Sequence, residues 1–109
     1  MLAESLFIIS AYCPGKACGA IGKITSSGRL AIEGKTIACG NNLPIESKVF
    51  ISGIGYRICE DRGSAIGEDK IDLFFEKIED AKKFGVQNRK VKIIWTPGML
   101  PIWRNYGEE

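Results

Sequence analysis

Two aspartates in this chain have settings that call for chemistry. Asp61 stands where a strand-like run (Tyr56, Ile58) gives way to a glycine-bearing loop, and Asp72 stands between Ile71 and Leu73 in the apolar run that follows. Strand interiors disfavour aspartate. An ionised carboxylate placed there needs partners, or it takes up a proton. Two carboxylates 11 positions apart across a loop can divide acid and base work between them. The chain contains no histidine, which excludes Ser-His-Asp and Cys-His nucleophiles and histidine-ligated zinc. Acid–base catalysis must then fall to carboxylate, cysteine, lysine or tyrosine. The structural alternative is that each aspartate accepts backbone N–H bonds and holds a turn. Glu68 and Asp69 read as solvated loop charges.

The four cysteines are Cys13, Cys18, Cys39 and Cys59. The Cys13-x4-Cys18 spacing is compatible with half a zinc site, but Cys39 and Cys59 have no matching pair. One or two disulfides suit an exported protein, with three pairings of four open. The other alternative is small buried thiols in strands, Cys39 and Cys59 above all. Trp95 reads as a packing residue, while Trp103 in the tail is open between packing and a carbohydrate platform.

Positioning these groups requires strands. Ser5 to Tyr12 is rich in Phe, Ile and Tyr and stops at Cys13-Pro14-Gly15. Lys16 to Gly28 reads as a glycine-rich loop. Thr36 to Cys39 is a short strand ended by Gly40-Asn41-Asn42. Lys48 to Ser52 and Tyr56 to Cys59 read as a hairpin across Gly53-Ile54-Gly55, and Lys70 to Phe75 is the next strand. Ile78 to Phe84 is a helix: Glu79 and Asp80 suit its first turn, Lys82 and Lys83 its last, and Gly85 its C-terminal stop. Arg89 to Trp95 is a final strand. Many short strands with glycine turns point to a small closed barrel. The chain of 109 residues is expected to be a single domain over 1–109, with a barrel core at about 5–95 and a tail at 96–109. A net charge of +2 with scattered Lys and Arg does not argue for nucleic acid. No run approaches the roughly 20 apolar residues of a membrane span, and the apolar start reads as a first strand rather than a signal peptide.

Taken in order, these segments resemble the three-aspartate (3D) domain family. The resemblance is carried by Ala11-Tyr12-Cys13-Pro14, Cys18-Gly19, Thr25 to Gly28, Gly34-Lys35-Thr36-Ile37-Ala38 and Leu43-Pro44-Ile45. Its central signature is Glu60-Asp61-Arg62-Gly63-Ser64-Ala65-Ile66 with Lys70-Ile71-Asp72-Leu73-Phe74. It implies a mainly β, six-stranded double-psi β-barrel with one short helix, related to membrane-bound lytic transglycosylase A and rare lipoprotein A-like proteins. The implied activity is a peptidoglycan lytic transglycosylase. Such an enzyme cleaves the MurNAc-β-1,4-GlcNAc bond without water and leaves a 1,6-anhydro end. By match to the family, Asp72 is the expected acid/base and Asp61 its partner. Gly63, Ser64 and Ala65 are expected to bind substrate through backbone N–H groups, and Tyr12 to stack on a sugar. No metal or cofactor is expected. The expected partner is the glycan strand, met by a monomer outside the cytoplasm. One departure stands out: the family's first aspartate normally follows the Thr-Ile-Ala strand, and here that place holds Cys39-Gly40-Asn41. The alternative expectation is therefore a non-catalytic glycan-binding or phage-virion structural barrel, with a cysteine-ligated zinc module as a third.

Overall fold

The structure is a computed structural model, and it describes residues 4–13, 24–63 and 66–98. The strands are β1 (Glu4–Tyr12), β2 (Thr36–Cys39), β3 (Lys48–Ile51), β4 (Gly55–Arg62), β5 (Lys70–Phe74) and β6 (Gln87–Trp95). One helix, α1 (Ile78–Phe84), lies between β5 and β6. The strands close into a barrel in the order β1-β5-β2-β4-β3-β6. The pairs β1/β5 and β2/β4 are parallel and the other four are antiparallel. This closed six-stranded arrangement is consistent with a double-psi barrel.

Alternation along each strand builds the core, because successive side chains point to opposite faces. Phe7 and Ile9 of β1, Ile37 of β2, Val49 and Ile51 of β3, Ile71 and Leu73 of β5 and Val91 of β6 all point inward and are buried. The helix has the expected bounds. It buries Ala81, keeps Glu79 and Asp80 in its first turn, and ends at Gly85, whose N–H still bonds to the Ala81 carbonyl and whose positive φ of 67° turns the chain out of the helix. Phe84 meets Phe75 with ring centroids 6.0 Å apart, which ties the helix to the strand end that feeds it.

Two expectations are corrected. The strand containing Asp61 does not stop at Cys59. It continues through Glu60, Asp61 and Arg62 because β2 pairs alongside, with Ala38 opposite Asp61 and Cys39 opposite Arg62. Non-local pairing overrides the poor strand propensity of acidic residues. Cys39 and Cys59 are neither isolated thiols nor metal ligands: they form a disulfide between β2 and β4, with their Cα atoms 5.8 Å apart. Both are fully buried, and a sulfur in a disulfide is not the thiolate that zinc requires. Cys13, half-buried, directly follows β1, while Cys18, Trp103 and the tail beyond 98 lie outside the described residues.

The disulfide spans 20 positions, so it restrains the unfolded chain considerably. Replacing both partners (Cys39→Ala with Cys59→Ala) is expected to lower the unfolding free energy by about 3 kcal/mol. Urea denaturation of the oxidised parent and the double variant measures the difference.

Candidate functional site

Inward-pointing Ile71 and Leu73 force Asp72, between them, onto the outer face of β5. There it stands in register with Ser10 of β1 on one side and Ala38 of β2 on the other. Ala38 is in turn in register with Asp61 of β4. Four strands thus carry one row on the outside of the barrel: Ser10, Asp72, Ala38, Asp61. Two strand spacings separate the aspartates, or roughly 9–10 Å between their Cα atoms. In that row Ala38 stands between them.

Strict alternation would not produce this row. Cys59 points inward, so Asp61, two residues on, would point inward as well. A β-bulge prevents it. Cys59 pairs with Ile37 and Asp61 with Ala38, and Glu60 is the surplus residue. The extra residue reverses the phase of the strand and turns Asp61 outward. Glu60 itself is buried, at 1% exposure. Its carboxylate accepts a 2.6 Å hydrogen bond from the Thr36 hydroxyl and lies 3.3 Å from Lys35 Nζ and 3.8 Å from Arg29 Nη1. Two cations and a hydroxyl compensate its burial, as a buried carboxylate requires. The Glu60 carbonyl accepts the Ser27 N–H at 3.3 Å, so the bulge also anchors the 24–30 turn.

That turn completes the surroundings of Asp61. Its Oδ1 accepts the Ser26 N–H at 3.0 Å, the Ser26 hydroxyl at 2.8 Å and the Arg62 N–H at 2.9 Å. Its Oδ2 accepts the Tyr12 hydroxyl at 3.1 Å. Partial burial favours the neutral acid, but the donors from Ser26, Arg62 and Tyr12 outweigh it and hold Asp61 below the usual aspartate range. Tyr12 responds in the opposite sense. Burial comes first, then the charge of Asp61 and the bond to it, then Asp72 and Glu60, and together they push its phenol far above the ordinary value. Tyr12 therefore remains a donor. Its ring meets Phe74 edge-on at 5.8 Å.

Asp72 is held more loosely. Among the described residues its hydrogen-bond partner is Ser10, whose hydroxyl donates to Oδ1. The flanking Ile71 and Leu73 do not form its surroundings, since they face the core. On its own side of the sheet are Ser10, Ala38 and Phe74.

The family model described as "3D domain" matches residues 35–96, a segment that holds both aspartates, the bulge and the disulfide. The chain belongs to the 3D domain family. Two proteins of Bacillus subtilis (strain 168) are similar to it. One is named "Putative cell wall shaping protein YabE" and is 44% identical over 61 residues, covering 55% of this chain and 15% of the relative. The other, "Cell wall-binding protein YocH", is 39% identical over 61 residues, covering 55% of this chain and 21% of the relative. The match therefore spans about a fifth of the relatives' length or less.

The place of the first aspartate in the 3D pattern is closed in this 3D domain. Cys39 is in the disulfide, and a Cβ on Gly40 would fall 2.7 Å from the backbone oxygens of both Ile66 and Gly67. Arg62 donates to the carbonyls of Gly40 (2.6 Å) and Leu43 (3.2 Å), and Asn42 Nδ2 donates to the Glu68 carbonyl at 2.7 Å. The loops after β2 and β4 are therefore tied together where a side chain would otherwise stand.

Of the residues singled out from sequence, Tyr12, Asp61 and Asp72 come together on one face. Gly63 directly follows β4, while Ser64 and Ala65 lie outside the described residues. Sequence reasoning missed Ser10, Ser26 and Glu60. Ser10 was open to detection, since it is two residues from Tyr12 and must share its face. Nothing local marks Ser26, which reaches Asp61 from 35 positions away.

The depressed acidity of Asp61 sets a direction for stability. An unfolded chain, with Asp61 near 3.8, binds a proton at a higher pH than the folded one. The contribution of Asp61 is complete above that value and is lost as pH falls through the lower folded value. Urea midpoints at pH 7 and pH 3 are expected to drop less for Asp61→Asn than for the parent. An equal drop would place the acid sensitivity elsewhere.

Proposed function

We propose that this 3D domain is a lytic transglycosylase acting on peptidoglycan strands, with Asp72 as acid and base. One observation carries the reading: two carboxylates share an outer row with unequal commitments. Asp61 has both oxygens occupied by donors and is fixed as an anion, so it has no proton to give. Among the described residues Asp72 has one hydrogen-bond partner, the neutral Ser10 hydroxyl, and the proton transfer is assigned to it. In the first step Asp72 protonates the glycosidic oxygen of the leaving GlcNAc, and the bond from that oxygen to C1 of MurNAc breaks with oxocarbenium character at C1. In the second, the Asp72 carboxylate takes the proton of the MurNAc C6 hydroxyl, and O6 bonds to C1. Asp72 ends with the proton it began with, and no water is consumed. Asp61 serves by position: it holds Tyr12 and the 24–30 turn against the row. The disulfide suits an oxidising, extracytoplasmic location, and the two relatives carry cell-wall names.

A second reading is a wall-binding domain without catalysis. The closed place of the first family aspartate and the name of the YocH relative favour it. Mass spectrometry of soluble products from purified peptidoglycan decides between the two. The transglycosylase reading expects anhydro-muropeptides from the parent and a rate lower by on the order of 10²–10⁴-fold for Asp72→Asn. Reducing-end products would mean hydrolysis. Retained binding with no products from the parent would leave only the binding domain.

A further inference from the structure

In the ring of six strands, β3 lies diametrically across from β5, so the outer face of β3 looks away from Asp72. Phe50 and Lys48 point outward there, since Val49 and Ile51 point in. Phe50 is in register with Tyr56 of β4 and Lys92 of β6. Lys90, two residues from Lys92, shares its face. The Phe50 and Tyr56 rings meet edge-on with centroids 4.8 Å apart, and Lys48 Nζ lies 5.1 Å over the Tyr56 ring. Tyr56 is 57% exposed, and all three lysines are exposed. Among the described residues none of the three makes an ion pair. The described ion pairs belong to Arg29 and Lys35, which meet Glu46 and Glu60. The acid of this face, Glu4, is in register with Lys92 but forms no ion pair with it.

We infer that this face is a second binding surface, which takes a peptidoglycan strand through its sugar rings and stem-peptide carboxylates. Tyr56, braced by Phe50, presents apolar ring area that a sugar's C–H face can cover. The lysines, which make no ion pair among the described residues, supply complementary charge. Lys90 and Lys92 lie about 7 Å apart along their strand. That spacing suits separate anionic groups on one chain better than a single phosphate. The choice of polymer rests on the cell-wall reading above, but the surface does not need Asp72. A domain that binds on both sides of the barrel would hold one strand while the other face engages a neighbour.

The test is co-sedimentation of the full chain with purified sacculi, native and stripped of phosphate polymers by hydrofluoric acid. A Lys48→Gln/Lys92→Gln double variant and Tyr56→Ala are run beside the parent. Stripped sacculi should bind the parent. The lysine double variant should bind about three- to tenfold more weakly at low salt and converge on the parent as salt rises, whereas Tyr56→Ala should be weaker at every salt concentration. All substituted positions are at the surface, and unchanged urea midpoints confirm intact folding. Product release from short soluble glycan fragments should be unaffected by these variants. If the parent releases no product yet binding follows the lysines, the catalytic reading falls and the second surface stands. Binding indifferent to both variants would overturn the surface, and binding lost on stripping would overturn peptidoglycan as its partner.

Discussion

One surplus residue in β4 governs this molecule. Glu60 interrupts the parallel ladder between β2 and β4, and everything C-terminal to it in the strand changes face. Before it, Cys59 points inward and is covalently joined to Cys39. After it, Asp61 points outward and shares a row with Asp72. The disulfide and the bulge are adjacent, and they act together. The covalent link keeps β2 against β4, which confines the irregularity to a single residue rather than letting the register slip along the pair.

The electrostatics follow from the same spot. A bulge costs a ladder position and leaves polar backbone to be satisfied. Here the Ser27 N–H bonds to the Glu60 carbonyl, and the Glu60 carboxylate is countered by Lys35 and Arg29. Those contacts bring the 24–30 turn close enough for Ser26 to donate twice to Asp61. The three acidic groups therefore differ in kind. Glu60 is buried and paired with cations, Asp61 is saturated by neutral donors, and the partner of Asp72 among the described residues is a single hydroxyl.

Much of the barrel was legible because its signals are local. Thr36–Cys39 and Ile78–Phe84 have the bounds that turn residues and end charges imply. The end of β4 was not legible. Glu60, Asp61 and Arg62 are strand residues only because Ala38 and Cys39 lie beside them, a fact of barrel closure rather than of composition. The disulfide was hidden for the same reason, since no spacing of cysteines shows that β2 and β4 are neighbours. Asp72 shows how sequence neighbours mislead in a strand. Ile71 and Leu73 suggest an apolar setting, yet period two sends both to the other face. The true neighbours, Ser10 and Ala38, lie on strands far from it in the chain.

The position of β1 in the ring has a kinetic side. β1 lies between β5 and β6, and its Ser10 meets Asp72 across 62 positions. Contacts of such separation require loop closure before they stabilise anything, which places barrels of this kind among the slower folders. The candidate site needs β1, β5, β2 and β4 side by side, so no early hairpin can present it. The carboxylate row exists only once those four strands are paired. A chain still unfolded carries Asp61 and Asp72 as two unrelated acids, and the candidate site is assembled only as those long-range pairings form.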